Sequence, residues 1–399
     1  MTRYESRIPF FLIWRFITRS NKWTLGLTIF LMAVAFINLV FITSLFNGIV
    51  EGSNDQIINT YVGHVAMTPL ESHDSIENVP TVLDAIRHTT GIIGASAQNS
   101  VPAEMKYKNK TISREIVAIN PNDEKTVTNV ATKMVVGAYL SEDDTNGIIL
   151  GRQIAGGSDV EPGAFHGVQV GDTITLVVGG AAREFIVRGI FNTKFATTDS
   201  RAFITAQAYA VINPNSVDQA TKIIIRIDKK GNEDKAIIAL QANTTGGTFS
   251  PWQDSAGLMK SVSSSFLSIN VLMTFVGFLI AAVTIFIVIY IDIMNKKRQI
   301  GILRAIGIKA WIIRLTYVLQ TSVYSFAGVL IGTALFYTAI VPYFIAHPFS
   351  LPICDAVLVV NPADFIIRAE AVMLVAIVSG LIPAIFVTRM KILNTILGK

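Results

Sequence analysis

Residues Ile291–Leu315 read IDIMNKKRQIGILRAIGIKAWIIRL. This short, basic, amphipathic stretch lies between two long apolar runs. A chain that is only anchored in a membrane has no use for such a segment, whereas one that takes mechanical input from a soluble cytoplasmic partner does. Apolar Ile300, Leu303 and Ile306 recur at helical spacing with Ile302 beside them, which leaves Lys297, Arg298, Arg304 and Lys309 to face water or a partner. Gly301 and Gly307 permit close approach, and Gly307 is placed to end the helix. The plainer alternative is a loop helix that only keeps positive charge on one side of a bilayer.

Working outward, the composition is that of a membrane protein. Of 399 residues, 51% are hydrophobic and 15% charged, and the mean hydropathy is +0.51. Four apolar runs, about Thr24–Phe46, Phe266–Ile291, Ile312–Ile340 and Ala371–Val387, approach or exceed the ~20 residues that cross a bilayer as helix. The net charge of +5 raises the question of nucleic acid, but its distribution answers it. Arg3, Arg7, Arg15, Arg19 and Lys22 precede the first run. Lys296, Lys297, Arg298, Arg304, Lys309 and Arg314 lie between the second and third, and Arg389, Lys391 and Lys399 follow the fourth. All three clusters fall on one side of a four-span topology, which places both termini in the cytoplasm and excludes nucleic acid as the partner. Trp14, Trp23 and Trp311 fall at inner-interface positions and Trp252 just before the second span on the outer side. Residues 8–19, IPFFLIWRFITR, read as a helix lying on the inner surface. The first span is too long for a signal-peptide core and lacks a small-residue cleavage site, so it reads as a retained anchor.

The fold class expected is therefore a membrane protein of four transmembrane helices, N-in and C-in, with a large α+β extracytoplasmic domain between helices one and two. The expected bounds are an interfacial helix at 1–23, span one at 24–48, the outside domain at 49–264 and span two at 265–292. A cytoplasmic coupling helix at 293–311, span three at 312–341, an outer loop at 342–367, span four at 368–389 and a cytoplasmic tail at 390–399 complete the chain. In the outside domain the apolar residues alternate instead of running on. Thr173–Val178 and Arg183–Phe191 read as strands joined by a tight Gly179-Gly180 turn, and Lys222–Ile227 as a further strand. Val79–His88 and Asp234–Gln241 read as helices. Asn129–Gly163, rich in Gly, Asp and Glu, is expected to form a second sub-lobe. Asn47–Gln56 and Ser255–Ser265 are expected to be stalks that continue the spans as helix.

Catalytic signals are absent from the sequence. No phosphate-loop pattern, no H-E-x-x-H and no G-x-S-x-G occurs. His64, His73, His88, His166 and His347 are scattered without ligand spacing and read as surface or turn residues. Gly151–Gly157 lacks the full dinucleotide fingerprint and reads as a plain turn. Cys354 is the one cysteine, so no intrachain disulfide exists. The spans are almost free of ionisable residues, which counts against an ion-driven transporter and against a hydrated path through this subunit.

Lys297–Gly307, KRQIGILRAIG, followed by an apolar span near Trp311, resembles the coupling segment of ABC-transporter permeases of the MacB/LolC/LolE/FtsX superfamily, the mechanotransmission type. Arg298, Ile300, Gly301, Arg304, Ala305 and Gly307 match the family's R-x-E-I-G/A-x-x-R/K-A-x-G run, and Gln299 stands where relatives carry Glu. Asn146–Ala155, Gly171-Asp172 and the strand ending in Gly189-Ile190-Phe191 resemble its periplasmic core domain. The resemblance implies a non-catalytic, multi-pass subunit of the cell inner membrane. Lys297, Arg298, Gln299, Ile300, Gly301, Leu303, Arg304, Ala305 and Gly307 would form the contact to a cytoplasmic ABC ATPase dimer. That partner would bind ATP and Mg, and this chain would hold no cofactor and no metal. The resemblance further implies a second permease chain, identical or a paralogue, membrane lipids and, according to subfamily, a periplasmic adaptor or lipoprotein chaperone. Phe41–Gly48 resembles a segment of LolC/LolE proteins, so Phe41, Leu45 and Phe46, with Phe266 and Leu267, are expected to line an acyl-chain pocket, unless they serve only helix packing. The implied function is lipoprotein or lipid release from the outer leaflet. MacB-like efflux through an adaptor and FtsX-like control of cell-wall hydrolases are the alternatives.

Overall fold

The computed structural model describes residues 11–15, 18, 22–156, 164–255, 258–351 and 354–390. Of the surface helix expected over 8–19, residues 11–15 and 18 are helical and the others lie outside the described residues. The chain divides into two compact units: a membrane unit of residues 1–50, 265–349 and 356–399, and an outside unit of residues 51–264 and 350–355.

The outside unit is built on one ten-stranded mixed sheet. Its strands are β1 (Val65–Thr68), β2 (Ile92–Tyr107), β3 (Lys110–Ile119), β4 (Met134–Gly137), β5 (Gly147–Gly151), β6 (Thr173–Val178), β7 (Ala181–Phe191), β8 (Arg201–Thr205), β9 (Lys222–Ile227) and β10 (Thr248–Pro251). They run in the order β10-β1-β9-β2-β3-β8-β5-β7-β4, with β6 pairing β2 and β7. The long β2–β3 hairpin is antiparallel, whereas β3–β8 and β5–β7 are parallel. β9 reads KIIIRI because it is central, with Ile223, Ile224 and Ile225 all fully buried. The β6–β7 turn uses Gly179 and Gly180 at φ +55° and +87°, the left-handed pair that a tight hairpin of this twist requires.

Helices Val79–Arg87 and Glu233–Asn243 cover one end of the sheet, packing Val82, Leu83, Ile86 and Leu240 onto Ile223 and Ile225. At the other end Met105, Ile116, Leu150, Phe165, Leu176, Phe185 and Ile204 form a second apolar cluster. The sub-lobe expected over Asn129–Gly163 is not separate. Its β4 and β5 join the one sheet, and Ile148, Leu150 and Ile154 belong to the shared core; residues 157–163 lie outside those described. Acidic and glycine content suggested a lobe there, but the apolar Ile148–Leu150 run decides where the segment goes. Gly151–Gly156 is β5 running into one helical turn, and Gly151 lies against the backbone of Asp199.

Two readings on the outside unit need correction. Trp252 is not an interface residue: it is 7% exposed, clustered with Ile57, Ile58, Val62 and Phe195. His64 is a core residue, 8% exposed, and burial together with nearby Arg226 pushes its imidazole below the ordinary value.

Four long helices, Lys22–Ile57, Leu258–Asn295, Ala310–Leu335 and Pro362–Arg389, each contribute a candidate membrane span; the membrane unit takes in the first of them as far as residue 50 and the second from residue 265. The third passes through a π turn, Phe336–Ile340, and continues as Val341–Ala346. Asn47–Gln56 and Leu258–Ser265 are helix, continuous with the first and second spans. Small residues let these helices meet: Gly328 lies against Met32 and Ala33, Gly332 against Phe36, and Gly380 against Thr321. Side chains such as Val271, Phe275, Leu279 and Leu374 are exposed, as the faces that meet lipid must be.

Within the outside unit, Asp199 is nearly fully buried and accepts bonds from the Thr193 amide and hydroxyl, each 2.8 Å. Burial pushes its carboxyl up to about 6 in spite of those bonds. The folded chain therefore keeps this proton between about pH 4 and 6, where the unfolded chain has lost it. Its contribution to stability is complete below about pH 4 and is lost as the pH rises through about 6, a change on the order of 3 kcal/mol. Asp199→Asn keeps the acceptor oxygen and removes the titration. The variant should gain on wild type in thermal unfolding of the solubilised chain at pH 7 and lose that gain at pH 4; an offset equal at both pH values would sink this account.

Candidate coupling site

The connection between the second and third spans is made with almost no slack. The second-span helix ends at Asn295, Lys296 serves as N-cap, and a nine-residue helix runs Lys297–Ala305. Its end is closed by the two bonds that a left-handed glycine allows. Gly307, at φ +94°, donates its amide to the Arg304 carbonyl at 3.1 Å, and the Ile308 amide reaches the Leu303 carbonyl at 3.1 Å. The third span then starts at Ala310. A residue with a Cβ at 307 would strain the turn that aims one helix into the next.

One face of the short helix is bound inward. Ile300 is fully buried, Gly301 is buried, and Leu303 packs on the core of the membrane unit. The outward face carries Arg298, Gln299, Ile302, Ala305 and Ile306, with Ile302 47% and Ile306 70% exposed. This corrects two sequence expectations. Ile306 does not share the inward face of Ile300 and Leu303, because the helix has already begun to close there. Arg304 does not point to water: its Nη1 donates to the Met390 carbonyl at 2.7 Å, at the C-terminal end of the fourth-span helix, where cations are favoured. Arg314 similarly donates to Thr388 Oγ1 at 2.9 Å.

Beneath the helix lies a polar network that the sequence reading passed over. Asp292, 7% exposed, accepts from Lys296 Nζ at 2.8 Å and from Gln320 Nε2 at 3.3 Å, and Gln320 Nε2 also reaches Tyr324 Oη at 2.7 Å. The network joins the second span, the start of the short helix and the third span. Its signal was present in the sequence, since Asp292 and Gln320 are a lone acid and a lone amide at the edge of or inside apolar runs. Such groups persist at membrane depth only with partners.

Of the expected acyl-pocket residues, Phe41 lies against Phe344 with ring centroids 5.4 Å apart. Leu45 packs on the same membrane core and Phe46 is half-buried. Phe266 and Leu267 fall in the second-span helix, but their side chains lie outside the described residues. Gly48 is pressed against the Val357 carbonyl, so the loop before the fourth span explains why that position has no side chain. Among the described residues, no three His, Cys, Asp or Glu side chains group as metal ligands.

Four membrane helices, an outside α/β domain inserted after the first and a short basic helix between the second and third define a permease. The model of the MacB-like periplasmic core domain matches residues 25–243, more than half of the chain, and that of the FtsX-like permease C-terminal region matches residues 271–392. The chain belongs to the MacB/FtsX superfamily of ABC-transporter permeases. Similar solved structures include the extracellular domain of the noncanonic ABC-type transporter YknZ from Gram-positive bacteria, at 11% identity and TM-score 0.35, covering 47% of this chain and 97% of that one. The periplasmic region of MacB from Actinobacillus actinomycetemcomitans matches at 13% identity and TM-score 0.36, covering 52% and 96%. A domain of a permease protein from Porphyromonas gingivalis matches at 12% and 0.32, covering 47% and 90%. No curated protein matches the chain in sequence.

Lys296→Met would strand the Asp292 carboxylate in a buried setting, a change expected to cost about 3 kcal/mol. Adding Asp292→Asn, which still accepts from Gln320, should recover most of the loss. Thermal stability of the purified chain in detergent checks this; a double variant no better than the single one would show that the pair is not what holds the helix root.

Proposed function

We propose that this chain is the non-catalytic membrane subunit of an ATP-driven release machine of the inner membrane. A separate cytoplasmic ABC ATPase dimer, which binds ATP and Mg, docks on the outward face of the Lys297–Ala305 helix. The observation that carries this reading is the pair Ile302 and Ile306, apolar and exposed beside Arg298 in the short connection between the second and third spans. The inward face, Ile300 and Leu303, is bound into the membrane core, and Arg304 is tied to the end of the fourth span. A push on this helix is therefore delivered to the second, third and fourth spans together. Lys297, Arg298, Gln299 and Ala305 complete the contact surface, and Gly301 and Gly307 set its shape.

The cargo we assign is an acylated one, a lipoprotein or lipid taken from the outer leaflet, with the outside domain opening and closing over it. Support comes from the scarcity of charge along the spans, which suits a subunit that passes nothing through its own centre, and from the resemblance around Phe41–Gly48. Two permease chains, identical or paralogous, complete the complex.

The test is affinity purification in mild detergent from cells that carry either the wild-type chain or a variant with Arg298→Glu, Ile302→Asp and Ile306→Asp. Wild type should retain an ATPase of the ABC class together with acylated peptides. The variant should lose the ATPase while inserting normally and keeping its thermal midpoint, because all three side chains face outward. An ATPase retained in full by the variant would end the docking assignment.

A further inference from the structure

One face of the large sheet is left open at its centre. Residues alternate along a strand, so Ser96 and Gln98 of β2 turn to the Glu124 carboxylate while Ala95, Ala97 and Asn99 turn to the other side. On that side the Val79–Arg87 helix packs Leu83 and Ile86 onto Ile223 and Ile225 of β9. A second helix, Ala206–Ile212, starts from the N-cap Thr205, whose hydroxyl accepts the Ala208 amide at 3.0 Å, and it seats Ala208 and Tyr209 on the core around Ile116 and Ile204. Neither helix closes over the middle of β2. Ala95 is fully buried, but Ala97 and Asn99, farther along the same face, are only half-buried.

The result is a trough of about 500 Å³ inside the outside unit, within the size range of ligand sites. Small side chains give it depth: Ala97 and Ala118 in the floor, Ala206 and Ala210 on one wall. Asn99 lies opposite Ala118, and its side-chain amide is spent on the backbone of Gln219 and Thr221. The floor's backbone is spent on the sheet ladder, so a guest must be met by side chains. Two are available: among the described residues, the side-chain amides of Gln207 and Gln219 have no hydrogen-bond partner. Charge in the trough is one-sided. Asp84, Asp123 and Asp218 face a single Arg87, whose guanidinium is already tied to Asp123 and to the Ala95 carbonyl. Among the described residues, the Asp84 carboxylate meets only His88, at 3.4 Å, and the Asp218 carboxylate has no partner. Val217, 58% exposed, adds an apolar rim.

We propose that this trough is a peptide-binding site that takes an extended, basic segment of a partner polypeptide. An extended peptide presents N–H and C=O groups along its flanks. A carboxamide can accept from the one and donate to the other, which is what Gln207 and Gln219 offer. Basic side chains of the guest meet Asp84 and Asp218, and its small or apolar ones settle over Ala97 and against Leu83 and Val217. The whole chain carries +5, so a basic guest is drawn by the local charge of the trough against the overall charge of the protein. The inference concerns the outside unit alone and does not depend on the ATP-driven reading.

Fluorescence anisotropy on the purified full chain in non-ionic detergent tests this. The probe is a fluorescein-labelled peptide of alternating lysine and alanine, about six residues and roughly 20 Å long when extended. Wild type should bind it saturably and should not bind the matching peptide of glutamate and alanine. Asp84→Asn/Asp218→Asn should weaken binding about tenfold. Asparagine tolerates the left-handed backbone that residue 218 adopts at φ +60°, so the fold is kept. Ala206→Trp, at an exposed position on the wall, should fill the trough and abolish binding. In case the added ring disturbs folding, Gln207→Ala/Gln219→Ala removes only the two amides and should weaken binding about tenfold at an unchanged thermal midpoint. An absence of saturable binding, equal binding of the two peptides, or full affinity in Gln207→Ala/Gln219→Ala overturns the site. Spermidine that competes as strongly as unlabelled peptide would make this a polyamine site and overturn the peptide assignment.

Discussion

A backbone amide left without a partner in hydrocarbon costs several kcal/mol, so a chain can reverse direction only where it has left the bilayer or can satisfy itself. The connection after Asn295 obeys this within a few residues. The second-span helix stops, Lys296 starts a new helix, Gly307 closes it with two internal bonds, and Ala310 starts the next span. The connection has little freedom left to absorb a push. Two of its polar residues are also committed: Lys296 to Asp292 and Arg304 to the carbonyl of Met390. The segment behaves as part of the membrane unit.

The same constraint explains what the sequence made legible. Spans were readable because each must be one apolar helix, and the first and second could be followed as helix beyond the membrane. The β6–β7 hairpin was readable because Gly179-Gly180 has one good geometry between alternating strands. Less legible was anything set by helix phase near an end. Ile306 sits at the spacing of Ile300 and Leu303, yet it lies at the closing turn and faces out. Arg304 looked like a solvent-facing charge because nothing local reveals a carbonyl 86 residues away in sequence. Trp252 read as an interface anchor because proximity to a span is visible in sequence, whereas its core partners Ile57 and Phe195 are distant.

Buried polar groups were the other blind area. Glu124 is fully enclosed and accepts bonds from Ser96, Gln98 and Thr128, so that one carboxylate ties the Pro121–Val127 helix to β2. Burial nonetheless pushes its carboxyl upward, because three neutral donors do not replace water around a charge. Asp292 performs a similar joining role in the membrane unit, with a lysine in place of neutral donors. For Asp292 the sequence showed a lone acid at the edge of an apolar run, whereas Glu124, flanked by Asp123 and Lys125, gave no local sign that it would be buried.

The helix that begins at Lys22 continues unbroken for 36 residues. At 1.5 Å per residue it is about 54 Å long, against a hydrocarbon layer of about 30 Å, so some 24 Å of it projects beyond the core. A rod of that proportion is a lever with its fulcrum in the lipid. Tilting it by about 10° carries its far end through about 4 Å, roughly the spacing between two paired strands. By geometry alone, a small tilt of such a helix about its membrane segment is magnified along the part that projects beyond it.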